Sequence, residues 1–106
     1  MRARRDFLAA NAGTRVATPG FVLLVHDRRD GDDAIRVGYT VSKKVGNAVT
    51  RNRMKRRLRE LARAALPHLG QPGADHVIIG RQRGVERDWD KLERELATAL
   101  KKAAKR

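Results

Sequence analysis

Between Lys43 and Arg63 the chain carries nine basic residues, Lys43, Lys44, Arg51, Arg53, Lys55, Arg56, Arg57, Arg59 and Arg63, against a single acid, Glu60. Guanidinium and ammonium groups at this density neutralise phosphates, the first as a planar fork of donors and the second as a point charge. A solvated helix face normally interleaves Glu with Lys for i,i+4 support. This run forgoes that support. Other chemistry-bearing residues do not assemble. His26, His68 and His76 show no metal-ligand spacing and are expected at strand ends or in loops. Asp30-Gly31-Asp32-Asp33 lacks the length and closing Glu of a calcium loop, so it reads as a polar hairpin loop. Gly38 and Gly46 form no phosphate-loop pattern, and no Ser-His-Asp set follows from the spacing. If this chain serves catalysis, the reacting groups belong to a partner.

A helix must position the basic run. Met54, Leu58, Leu61, Ala62 and Ala65 recur at i, i+4, i+7, i+8 and i+11, the spacing of one apolar stripe. At about 100° per residue, Asn52, Arg56, Arg59 and Arg63 fall opposite that stripe. Arg53 and Arg57 lie along one flank, Arg51 and Lys55 along the other. Asn47, after Gly46, or Thr50 supplies an N-cap, and Leu66-Pro67 is expected to close the helix, because the residue before proline leaves the helical region. Free N–H groups after Asn47, together with the helix dipole, favour a phosphate at this end. Lys43 and Lys44 stand just ahead of it.

The rest of the chain supplies a scaffold. Arg4 to Asn11 reads as a first helix with Gly13 at its C′ position. Thr14–Thr18 alternates as a short strand, and Pro19-Gly20 marks a turn. Phe21–His26 is apolar on both faces, as a central strand requires. Ile35, Val37, Tyr39 and Val41 share one face of the next strand. After a loop from Pro67 to Ala74 comes a short strand, Val77–Gly80. A last helix follows, capped by Asp88, with Trp89, Leu92, Leu96, Ala99, Leu100 and Ala103 on one stripe. The expected order is α-β-β-β-α-β-α, a single small α+β domain over residues 1–106 with helices packed on a central sheet.

Composition narrows the classes. A net charge of +13 and pI of 11.5 draw in polyanions and make their binding salt-dependent. The 41% hydrophobic content supports a folded domain over a disordered basic tail. The absence of cysteine excludes disulfides, Cys-type zinc fingers and thiol catalysis, and fits a cytoplasmic protein. No apolar run approaches the ~18 residues of a membrane span, so no membrane role is expected.

The segment from Val37 to Arg56, in which Ser42-Lys43-Lys44-Val45-Gly46-Asn47-Ala48-Val49-Thr50 runs into Arg51-Asn52-Arg53, resembles the signature of the bacterial ribonuclease P protein component. Asp6-Phe7 ahead of Gly13 is similar to that family's N-terminal helix, and Asp75–Ile79 to its last strand. The resemblance implies a monomer bound 1:1 to a catalytic RNA. That RNA removes the 5′ leader of precursor tRNA with magnesium held mainly by the RNA, and the protein adds affinity for the leader. It further implies that Arg51, Asn52, Arg53, Lys55, Arg56 and Arg59 face the catalytic RNA, with Lys43, Lys44 and Asn47 completing the surface. Arg4, Arg5, Phe7, Arg15 and Phe21 would line the leader site. The family fold also implies a parallel strand pair joined by a left-handed β-α-β crossover, against the right-handed rule for such connections.

The chain departs from the family pattern at Asn11 and Leu24, where aromatics often stand, which shifts leader binding from stacking toward Arg4, Arg5 and Arg15. Three other readings compete. A ribosomal or assembly protein would share the basic helix without requiring this residue order. A DNA reader would need base-reading side chains on one line and usually a dimer. A self-sufficient nuclease would need paired carboxylates in a positive cleft.

Overall fold

The computed structural model describes residues 14–28 and 31–104. The expected first helix, with Arg4, Arg5, Phe7, Asn11 and Gly13, lies outside the described residues. Within them the elements are β1 (Thr14–Ala17), β2 (Phe21–Asp27), β3 (Arg36–Thr40), α1 (Ala48–Leu69), β4 (Ala74–Gly80) and α2 (Trp89–Ala104), with 3-10 turns at Lys43–Val45 and Gln82–Gly84. This is the expected α+β order from the first strand onward.

The four strands form one mixed sheet in the order β1-β2-β4-β3. β1 and β2 make an antiparallel hairpin whose turn is held by Thr18, its N–H donating to the Phe21 carbonyl at 2.8 Å and its Oγ1 accepting from the Phe21 N–H at 3.1 Å. β4 runs antiparallel to β2 and parallel to β3, with α1 connecting the parallel pair. The strand pairs place Phe21, Leu23 and Val25 on the same face as Ile78, Val37 and Tyr39. Both helices cover that face. Met54, Leu58, Leu61, Ala62 and Leu66 of α1 and Leu92, Leu96, Ala99, Leu100 and Ala103 of α2 are buried against it. Val22, Leu24 and Val77 form a smaller buried cluster on the opposite face, which explains why β2 is apolar on both faces from Phe21 to Val25.

Three expectations need correction. α1 does not end at Leu66 but runs through Pro67 to Leu69. Proline lacks a donor, yet the carbonyl it fails to serve belongs to exposed Arg63, where water can bond it, and Gly70 N–H donating to Leu66 O at 2.8 Å completes the last turn. β3 begins at Arg36, which leaves Ile35 outside the strand and partly exposed. His76 is no strand-end or loop residue: it lies within β4, fully buried. Its Nε2 accepts from Gln71 N–H at 3.2 Å, so Nδ1 carries the proton and donates to the Arg36 carbonyl at 3.2 Å. His68 is exposed in the last turn of α1.

Beside His76 in sequence but on the other face, buried Asp75 binds Arg28, just after β2, and Arg36, the first residue of β3. Arg36 donates Nε to Oδ1 at 2.5 Å and an Nη to Oδ2 at 2.7 Å, and Arg28 reaches Oδ1 at 3.0 Å. Arg28 also donates to the carbonyls of Asp32 and Ala34. The segment read as a hairpin loop joins two strands that do not pair, because β4 lies between β2 and β3; Asp32 and Ala34 are tied to β4 instead, through Arg28 and the Asp75 carboxylate.

Candidate nucleic-acid interface

The basic run begins on a short anchored turn. Val45 is buried, Val45 N–H donates to Ser42 O at 3.1 Å, and Lys43 and Lys44 are left exposed just ahead of the helix. Gly46 then takes φ 155°, and a Cβ there would lie 2.9 Å from the Thr50 side chain, so glycine is required twice over. Asn47 is the N-cap: its side chain accepts from Thr50 N–H at 2.9 Å, and its carbonyl accepts from Arg51 N–H at 2.9 Å. No acid occupies the first turn of α1. The amides of Ala48 and Val49 have no acceptor within the helix, and the positive end of a 22-residue helix stands uncompensated.

From this foot the helix distributes its cations as the periodicity expects. Asn52, Arg53, Lys55, Arg56, Arg59 and Arg63 are exposed, while Met54, Leu58 and Leu61 are buried beneath them. Arg51 is half-buried, and its Nε is enclosed with no acceptor among the described residues. Arg53 has Glu86 near it at 3.9 Å, an exposed and weak pair. Arg63 pairs with Glu60 at 3.5 Å in the same exposed manner.

Arg57 differs. Its guanidinium turns inward, donating to the carbonyls of Gly84, Val85 and Arg87 at 2.8, 2.6 and 2.5 Å, and lies over the Trp89 ring. Burial and the neighbouring Arg53 lower its proton affinity from the ordinary arginine range. Charge counting includes Arg57 with the others; its role is to bind α1 to the connection before α2. Nothing in the sequence distinguishes it from Arg56 except the helical angle that puts it nearer the apolar stripe.

The leader residues separate. Arg15 is exposed in β1 and pairs with Leu24, so it stands on the sheet face away from the helices. Phe21, expected beside it, is instead fully buried on the helix side within the main core. The one-residue alternation of a strand decides this: Phe21 shares a face with Leu23, while Val22 and Leu24 share a face with Arg15. Phe21 therefore offers no ring to a nucleotide. Arg4, Arg5 and Phe7 lie outside the described residues. No group of three or more His, Cys, Asp or Glu side chains among the described residues could hold a metal ion, and no helix there is long and apolar enough to cross a membrane.

A family model described as Ribonuclease P matches residues 1–104. The chain is 56% identical over 103 residues to the Ribonuclease P protein component of Erythrobacter litoralis, covering 97% of this chain and 84% of that one. It is 50% identical over 105 residues to that of Ruegeria pomeroyi, covering 96% and 83%. Among solved structures it resembles the RNase P protein of Staphylococcus aureus, with a TM-score of 0.79 at 32% identity and coverage of 97% and 93%. The RNase P protein of Thermotoga maritima is similar to the same degree, with a TM-score of 0.80 at 32% identity and coverage of 96% and 94%. A match that spans the chain in sequence and in fold shows that it belongs to the ribonuclease P protein component family.

Proposed function

We propose that this chain is the protein subunit of a cytoplasmic ribonuclease P, bound 1:1 to a catalytic RNA that cleaves the 5′ leader from precursor tRNA. The observation that carries the reading is the exposed basic face of α1, which rises from an acid-free helix N-terminus flanked by Lys43 and Lys44. Lys43, Lys44, Asn47, Arg51, Asn52, Arg53, Lys55, Arg56 and Arg59 form the surface for the catalytic RNA. A phosphate at the foot of α1 would meet the amides of the first turn and supply an acceptor for Arg51. Basic groups spread over a wide arc suit the curved backbone of a folded RNA better than the groove of a duplex.

The 5′ leader takes the other face of the sheet, where Arg15 stands, and the resemblance adds Arg4, Arg5 and Phe7 to the leader-binding residues. Binding catalytic RNA on one side and leader on the other holds substrate against the RNA's reacting groups. Such positioning acts through effective concentration. Among the described residues no side-chain cluster offers the grouped oxygens that hard divalent ions take. The metal ions of the reaction belong to the RNA, and the protein contributes charge neutralisation that lets RNA strands and metal approach.

Single-turnover cleavage of precursor tRNA by a bacterial ribonuclease P RNA at low magnesium, with and without the protein, tests this. A large rate gain that depends on the 5′ leader is expected. Tight RNA binding with no gain in cleavage would instead make the chain a ribosome-type structural protein.

A further inference from the structure

Beside the basic face, the half of α1 nearer its C-terminus and the outer strand β3 enclose a groove of about 430 Å³. Ile35, Val37 and Tyr39 form one wall, Leu66 part of the other, and Arg59 and Arg63 stand at its edge. We infer that this groove seats an unpaired nucleotide of the partner RNA, its base against Tyr39 and its phosphate between Arg59 and Arg63. The inference rests on the RNA-binding reading above and extends it to residues that the reading does not use.

Three observations fix the occupant. First, the walls are apolar and carry one aromatic ring. Tyr39 lies on the helix-side face of β3, but among the described residues no strand pairs beyond β3, so its side chain is only half-buried where Ile78 beside it is fully covered. An aromatic ring with aliphatic neighbours is a stacking platform for a single base and has no use for a duplex, whose bases are already stacked. Second, Arg59 and Arg63 line the same groove as Tyr39, and their charge works against the burial that raises its phenol from the ordinary value. No acid lines the groove; Glu60 meets Arg63 only at 3.5 Å in an exposed pair that a phosphate would displace. Third, the groove is continuous with the proposed RNA surface, because Arg59 belongs to both. Ile35 is left 36% exposed at this groove.

The chain contains three isoleucines, Ile35, Ile78 and Ile79, and they report on three places. Ile35 lines the groove, Ile78 lies in the helix-side core, and Ile79 packs on the opposite face. The test is a titration of the whole protein, labelled at isoleucine methyls and tyrosine rings, with a hexa-adenylate RNA at low salt. The Ile35 methyl and Tyr39 ring resonances are expected to move. Tyr39→Leu is expected to weaken hexa-adenylate binding roughly five-fold or more, with Tyr39→Phe close to the parent. Arg63→Gln should lower the salt slope of binding by about 0.7. Circular dichroism shows whether Tyr39→Leu is folded; if it is not, the parent's Ile35 shift and the Tyr39→Phe affinity decide. RNA binding that moves Ile79 and leaves Ile35 still would overturn the groove while sparing the function. An Ile35 shift that follows protein concentration without RNA would make the groove a self-association surface and also overturn it. Absence of any RNA binding at low salt would instead remove the functional reading on which the inference stands.

Discussion

The guanidinium of Arg57 lies 5.5 Å from the centre of the Trp89 ring and donates at the same time to three carbonyls of the segment leading into α2. One side chain thus joins the middle of α1 to the start of α2, across the connection in which Asp88 caps α2 by accepting from Lys91 N–H at 3.2 Å. Arg57→Ala would leave those carbonyls without their charged donor, and is expected to lower stability by about 2 kcal/mol or more. Arg57→Lys should recover little, because an ammonium cannot span three acceptors while stacked on an indole. Urea unfolding followed by Trp89 fluorescence checks both variants. A parent-like midpoint for Arg57→Ala would show that the contacts contribute nothing net.

Arg56, next in sequence, should behave in the opposite way. It is exposed, as is Arg53, so Arg53→Ala and Arg56→Ala are expected to unfold within about 0.5 kcal/mol of the parent. Each should weaken binding of ribonuclease P RNA and reduce the steepness of log K against log salt by about 0.7–0.9 if it meets one phosphate. Filter binding at several salt concentrations reads both quantities. An unchanged slope with unchanged affinity would remove that residue from the interface.

Why Arg56 and Arg57 could not be told apart by composition, yet could be by angle, shows what the sequence carries. Periodicity placed Met54, Leu58 and Leu61 inward and Asn52, Arg56 and Arg59 outward, because a 3.6-residue repeat leaves no other arrangement for a helix on a sheet. Asp88 was legible as a cap for a similarly local reason, and Asn47 as one of two candidates beside Thr50. The β3–β4 pairing was not local: β4 inserts between β2 and β3, and only the family resemblance implied a parallel pair. Phe21 was misplaced because β2 is apolar at each position from Phe21 to Val25, so its pattern does not say which face meets the helices. The Asp75 network was also unreadable, since Arg28, Arg36 and Asp75 are as many as 47 residues apart. Gly84 gave no signal either; a Cβ there would strike the Gly20 carbonyl and the end of Met54.

Asp75 supplies a stability prediction. Hydrogen bonds from Arg36, and then from Arg28, hold its carboxyl below the ordinary value of 3.8 against the opposing effect of burial. Asp75→Asn removes the charge that draws both arginines onto β4, and breaking a buried ion pair from one side costs about 3 kcal/mol or more. The carboxylate form is the stabilising one, so this contribution is present above pH 3.8 and is lost as pH falls through the lower folded value. Chemical denaturation at pH 7 should show the loss in the variant, with the slope against denaturant unchanged. A variant as stable as the parent would mean that the arginines are solvated equally well without it.

His76 sets a second acid limit at higher pH. Its burial lowers the imidazole from 6.5, since both ring nitrogens are engaged in the neutral form and a proton added at Nε2 would face the Gln71 N–H. A depressed folded value means that the unfolded chain binds the proton more readily, so stability is full above 6.5 and falls as pH drops toward the folded value. The melting temperature of the parent should therefore decline between pH 7.5 and pH 5, before Asp75 titrates. His76→Gln should start lower, having lost a fitted buried ring, but its curve over the same interval should be flatter. General repulsion within a chain of charge +13 also grows on acidification, yet it acts on both proteins alike, so the difference in slope isolates the histidine. Equal slopes would place the acid sensitivity elsewhere and leave His76 as a packing residue only.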